Sequence, residues 1–158
     1  MQVTGIEPVL DTQARQVAGQ ALQQTLVDLI DLALDGQQAR WTIIGPRSPV
    51  LRPDLEEVVE VARRHADIVA ERAATVGVAP DGRAAAVATG SAVAQWAPGW
   101  ERDDLVIDHI IDAHATVIAG VRDRLPAVAA TDPVTRDVLV AVIADLERQH
   151  WRFQACRQ

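Results

Sequence analysis

Between Thr12 and Arg40, apolar side chains recur at Ala18, Ala21, Leu22, Leu26, Leu29, Ile30 and Ala33. That spacing of three and four lines one face of a helix, and it persists without a break almost to Trp41. Asp11 or Thr12 stands where a helix N-cap is wanted. The run TIIG then leads to Gly45-Pro46, which ends the helix. A helix this long needs a core to lie on. With 49% apolar residues but only 3% aromatic ones, that core has to be built from Ala, Val, Leu and Ile, which favours packed helices over a β-sandwich.

Three more segments carry the same periodicity. A second helix is predicted over about 49–76, opened by Ser48 with Pro49 or by Pro53, and stopped by Gly77. Prolines at both 49 and 53 predict a lost hydrogen bond or a bend there. A loop-rich stretch covers 77–100, with a short helix predicted at about 91–96 (SAVAQW) behind Ser91 as cap. A third helix is predicted over about 102–125, ending at Pro126. A fourth is predicted over about 132–154, where Thr131-Asp132-Pro133 supplies a cap and then a proline. The expected fold is an all-α four-helix bundle with one long middle crossover, forming a single domain over 1–158.

All 15 basic residues are arginine, against 22 acidic ones, for a net charge of −7. That balance argues against broad nucleic-acid affinity, which depends on neutralising phosphates. The first dozen residues, MQVTGIEPVLDT, contain no basic side chain. Cys156 is the single cysteine, so neither a disulfide framework nor a thiolate metal site is expected. No signal peptide and no apolar run of membrane length is visible, and the cytoplasm is the expected location. Nothing matches a nucleophile–base pair, a phosphate-binding glycine loop or a zinc motif.

Two segments carry most of the functional information: QQARWTIIGP at 37–46, and HADIVAER at 65–72 downstream of SPVLRPDLEE at 48–57. Together they resemble the signature of the Dps proteins, small ferritin-like cages of starved bacterial cells, and DLERQHWRFQA at 145–155 is similar to the end of the family's fourth helix. The resemblance covers nearly the whole chain and implies a ferritin-like bundle assembled as a hollow homododecamer. It also implies a ferroxidase site with two histidines, where this chain has Arg40 and Arg52. The family's carboxylates persist as Glu56, Asp67 and Glu71. Arginine keeps its proton near neutral pH and cannot ligate a metal, so the site is expected to be impaired.

Laid on a helix at 100° per residue, Arg52, Glu56, Glu60, Arg63 and Asp67 share about a quarter of the circumference, with Glu71 at its edge. Two readings of this stripe stand side by side. One is a solvated face laced by pairs such as Arg52–Glu56, Glu60–Arg64 and Arg63–Asp67. In the other, oxygen ligands for iron have become a charge cluster, with the guanidinium groups pairing with Asp67 and Glu71. None of His65, His109, His114 and His150 forms an i,i+4 pair or a Glu-x-x-His run that would rescue a metal site.

Acidic residues near the turn between the third and fourth helices line pores in this family, which makes Asp123, Asp132 and Asp137 pore candidates. Capping is the simpler role for Asp132. Asp104, Asp108 and Asp112 form a further acidic line. Trp41 and Trp151 match family tryptophans; Trp41, next to the site, is open to reading as a radical trap or as packing. Trp96 and Trp100 lie in the crossover and suit packing between subunits. The expected function is a Dps-like stress-protection and iron-sequestering cage with weak or absent ferroxidase activity, iron being the only cofactor implied. An inert structural cage and a carboxylate-only ferroxidase are the alternatives. DNA binding is doubtful and no membrane is involved.

Overall fold

The computed structural model describes residues 6–157, so part of the N-terminal run read for basic charge lies outside the described residues. Helix α1 spans Thr12–Thr42, α2 Ser48–Thr75, α3 Ala84–Gly90, α4 Asp103–Ala129 and α5 Pro133–Ala155. Two-residue strands β1 (Ile43–Ile44) and β2 (Glu101–Arg102) pair in parallel, Ile43 opposite Glu101 and Ile44 opposite Arg102. Helices α1 and α2 form one antiparallel pair and α4 and α5 the other. The long α2–α4 crossover carries only the short α3. This is the all-α, ferritin-like four-helix architecture expected from the sequence.

The helix ends follow local chemistry. Asp11 caps α1, its carboxylate accepting from the Ala14 N–H at 2.8 Å. Gly77, at φ +80°, closes α2: its own N–H reaches Ala74 O, and the Val78 N–H reaches Ala73 O at 2.9 Å. Those two bonds satisfy carbonyls that the helix end would otherwise orphan. At the α1–α2 turn, Gly45 takes φ +116°, and a Cβ there would lie 2.7 Å from the Asp103 carboxylate. That carboxylate accepts from the Arg47 N–H at 2.8 Å, tying the turn to the start of α4. The Arg47 contact, backbone N–H first, holds the Asp103 carboxyl below its ordinary value.

One detail of the helices follows one of the alternatives left open for the two prolines, and two others depart from expectation. Pro49 and Pro53 both lie within α2, which starts at Ser48; Pro53 removes one donor, and the helix continues through it. Pro126 lies inside α4, which runs one turn beyond it to Ala129. The crossover helix falls at 84–90 and not at 91–96, because the alanine-rich 84–86 run starts it while Ser91 turns back on Val93.

Leu22, Leu29, Leu32, Leu55, Ile107, Ile110, Leu139 and Leu146 form the fully buried centre. Each such side chain contributes about 1.5–3 kcal/mol of transfer free energy. His114 lies among them, wholly buried, its Nδ1 2.8 Å from the Ile110 carbonyl and its Nε2 3.2 Å from the Gln149 amide. Burial holds its pKa below the ordinary value, so it is neutral, with Nδ1 donating to the carbonyl.

Candidate functional site

The end of α1 and the first turns of α2 bring Arg40, Trp41, Arg52 and Glu56 to one cleft of about 450 Å3, completed by Pro49 and Pro53. Arg40 projects from the last turn of α1 and pairs with Glu56 of α2. Both side chains remain about one-third or more exposed, so screening keeps the pair's contribution to stability near 0–1 kcal/mol. Arg52 bonds backbone instead: its Nη1 donates to Arg40 O at 2.9 Å and its Nη2 to Ile43 O at 3.4 Å. The second guanidinium therefore caps carbonyls left open where α1 ends. Trp41 flanks the cleft and is 60% exposed. With the Gln37 amide oxygen turned toward them, both the Trp41 indole N–H and Arg40 donate to it, at 3.0 and 2.9 Å.

Asp67 and Glu71 are not part of this cleft. They lie eleven or more residues farther along α2 than Glu56, roughly 16 Å at 1.5 Å per residue. Asp67 lines a separate, mainly apolar cleft of about 490 Å3 between α1 and α2, together with Arg63, Ile30, Ala33 and Ala66. Within one chain, then, neither arginine pairs with Asp67 or Glu71. The i,i+4 pairs expected along α2 do not form either. Glu56 goes to Arg40 and Arg64 goes to Asp145 of α5, because partners on neighbouring helices are better placed. Among the described residues no three His, Cys, Asp or Glu side chains gather as a metal-binding group. The donors present in one chain do not by themselves fit a metal centre.

The pore candidates separate. Asp132 is buried: its carboxylate caps α5 through the Val134 and Thr135 N–H groups and accepts from Arg72 at 2.8 Å. Burial alone raises its pKa, but the bonds from Thr135 and Arg72 outweigh that and hold it below the ordinary value. Its role is the capping one. Asp123 and Asp137 are exposed, with Asp137 held by the adjacent Arg136. Along α4, Asp104 pairs with Arg102 and Asp108 with Arg157. His65 bonds Asp145 at 2.7 Å, and His109 bonds Asp35 at 2.7 Å beneath the Trp96 ring, 4.3 Å away. Trp96 thus packs inside its own chain, while Trp100 and Trp151 are exposed.

One cluster escaped the sequence reading. Asp28, Asp31 and Asp35 are all buried on α1. Asp28 accepts from Arg124 at 3.0 Å and from the Ala92 N–H at 2.9 Å, and Asp35 holds His109. Asp31 is raised above its ordinary value by burial, despite a hydrogen bond from Ser91. Together they fasten the crossover and α4 to α1. The available signal was acids recurring every three or four residues inside an otherwise apolar helix.

Two long antiparallel helix pairs joined by a crossover define a ferritin-like bundle, and residues 19–158 match the family model described as a ferritin-like domain. The chain is 32% identical over 96% of its length to DNA protection during starvation protein 2 of Deinococcus radiodurans, spanning 63% of that protein. It is 30% identical to the DNA protection during starvation protein of Mycolicibacterium smegmatis, covering 92% of this chain and 79% of that one. A solved Dps structure from Deinococcus radiodurans superposes with a TM-score of 0.89 at 32% identity, over 91% of this chain and 87% of that one. The chain belongs to the Dps family of ferritin-like proteins. No described helix is long and apolar enough to cross a membrane.

Proposed function

We propose that this protein is a Dps-type homo-oligomeric cage that sequesters iron in stress protection, with ferrous oxidation at the α1–α2 position slow or lost. The observation that carries this reading is the Arg40–Glu56 ion pair, with Arg52 beside it. Where the resemblance calls for neutral nitrogen donors, the cleft holds two permanent cations. One of them occupies the nearest carboxylate. A ferrous ion approaching Glu56 has to displace a guanidinium and meets the unfavourable field of both.

Exposed Asp123 and Asp137 are the acids left to draw ferrous ions toward the interior. Asp67 and Glu71, which no cation holds among the described residues, keep hard oxygen donors for iron as cargo. DNA binding is expected to be weak near physiological salt for a chain of charge −7, and the expected location is the cytoplasm.

The test restores the donors. Ferrous oxidation by oxygen or hydrogen peroxide, followed by absorbance, is expected to be slow in the native protein and at least tenfold faster in Arg40→His/Arg52→His. A native rate equal to or above that of the double variant contradicts the proposal.

A further inference from the structure

The cleft between the end of α1 and the start of α2 offers two cations against one acid. Arg40, Arg52 and Glu56 line it, together with Trp41, Pro49 and Pro53. In a chain of net charge −7 this is a local excess of positive charge. Elsewhere exposed arginines meet acids of their own, as Arg83 meets Asp81 and Arg122 meets Glu147. Arg52 holds no carboxylate among the described residues and spends its two Nη groups on the Arg40 and Ile43 carbonyls. Arg40 gives one Nη to Glu56 and the other to the Gln37 amide oxygen. The Nε–H of each has no acceptor among the described residues.

Helix α2 adds to this field. It is 28 residues long, has no acid in its first turn and no side-chain cap, and sets the positive end of its dipole beside Pro49 and Arg52. Its first N–H groups are already used, since those of Ser48, Val50 and Leu51 reach the Gly45 and Arg47 carbonyls and Pro49 has none. The donors open to a ligand are thus the guanidinium groups. Trp41 supplies a second kind of contact. Its indole is 60% exposed, while its N–H is turned back onto the Gln37 amide oxygen at 3.0 Å, which fixes the ring. A fixed indole open to solvent is a platform on which a flat ring can stack. The volume of about 450 Å3 is that of a small-molecule site.

We infer that this cleft binds a small molecule joining a planar aromatic ring to a phosphate group, with the phosphate at Arg52 and Arg40 and the ring against Trp41. A phosphate monoester brings nearly two negative charges and three acceptor oxygens, enough for two guanidinium forks, where a carboxylate satisfies one. Glu56 opposes the ligand, because it competes for Arg40 and repels the incoming anion. This goes beyond iron sequestration and requires neither iron nor a further copy of the chain, so it and the cage reading can fail separately.

The test is calorimetric titration of the iron-free full chain at low salt with adenosine monophosphate. Adenosine, the ring without phosphate, and inorganic phosphate, the anion without a ring, are the comparisons. Adenosine monophosphate is expected to bind about tenfold tighter than either. Trp41→Leu is expected to bring it down to the level of inorganic phosphate, and Arg52→Gln to weaken it about tenfold. Glu56→Gln is expected to tighten binding, since it releases Arg40 and removes the opposing charge; general damage to the fold does not raise affinity. Circular dichroism accompanies each variant, because Arg52 also holds carbonyls at the end of α1. Should Arg52→Gln lose helix content, Trp41→Leu and Glu56→Gln carry the test between them. A native chain that does not bind adenosine monophosphate, one that binds it no tighter than inorganic phosphate, or a Glu56→Gln variant that binds it more weakly overturns the inference.

Discussion

Helix α2 carries two arginine–carboxylate systems a few turns apart, and they behave as opposites. Near its C-terminal end, Arg72 donates to Asp132 at 2.8 Å and to Thr135 at 3.0 Å, with both charged side chains mostly buried. Farther toward its N-terminus, Arg52 and Arg63 are exposed and hold no carboxylate of their own chain among the described residues. The same residue types serve folding where partners and burial coincide. Where they are left open, they stay at the surface. Burial, rather than charge, separates the two roles.

The largest effect is expected at the buried system. Arg72→Ala strands the Asp132 carboxylate without its cation, and about 3–5 kcal/mol of stability is expected to go. Urea denaturation measures it, and a loss below about 1 kcal/mol would erase the contrast between the two halves of α2. Next comes Gly45→Ala, which forces an alanine into φ +116° and toward the Asp103 carboxylate. A cost of about 1–3 kcal/mol is expected, with Tm as readout; an unchanged Tm would mean that the turn is not held by Asp103.

A pH series sharpens the comparison further. The buried His114 has its pKa held down, so as pH falls below about 6.5 the unfolded chain takes up a proton that the folded chain refuses. Stability is therefore full above that pH and declines below it, toward the folded-state pKa. The depressed Asp132 and Asp145 carboxyls add a second decline as pH falls below the ordinary carboxylate range toward their folded values. His114→Gln is expected to flatten the first decline and leave the second. The smallest effect is expected from Arg63→Ala, within about 0.5 kcal/mol for folding of a single chain, since nothing among the described residues holds its guanidinium.

How much of this was legible follows the same division. The four long helices show in the sequence because their apolar faces repeat every three or four residues over many turns. The Gly77 stop shows because only a left-handed residue fits there. The crossover helix was misplaced by a stretch: Ser91 looks like a cap, yet its hydroxyl turns to Val93 and Asp28 takes the Ala92 N–H. Pro126 looks like a terminator, yet one missing donor does not end a helix that is packed on both sides of it. At the candidate site, sequence spacing aligned Arg52 with Glu56 and Arg63 with Asp67. It could not see that Arg40, arriving from α1, takes Glu56 first. The buried Asp28, Asp31 and Asp35 were invisible for a related reason, since their partners lie on α4 and in the crossover, far away in sequence.

The central claim is that the Arg40 guanidinium, not iron, holds Glu56. Anaerobic ferrous titration followed by admission of oxygen tests it most directly, comparing the native protein with Glu56→Ala. The account predicts slow oxidation in both, at rates within about twofold of each other, because a carboxylate already taken by Arg40 has little to lose. Rapid oxidation in the native protein that collapses in Glu56→Ala would contradict it.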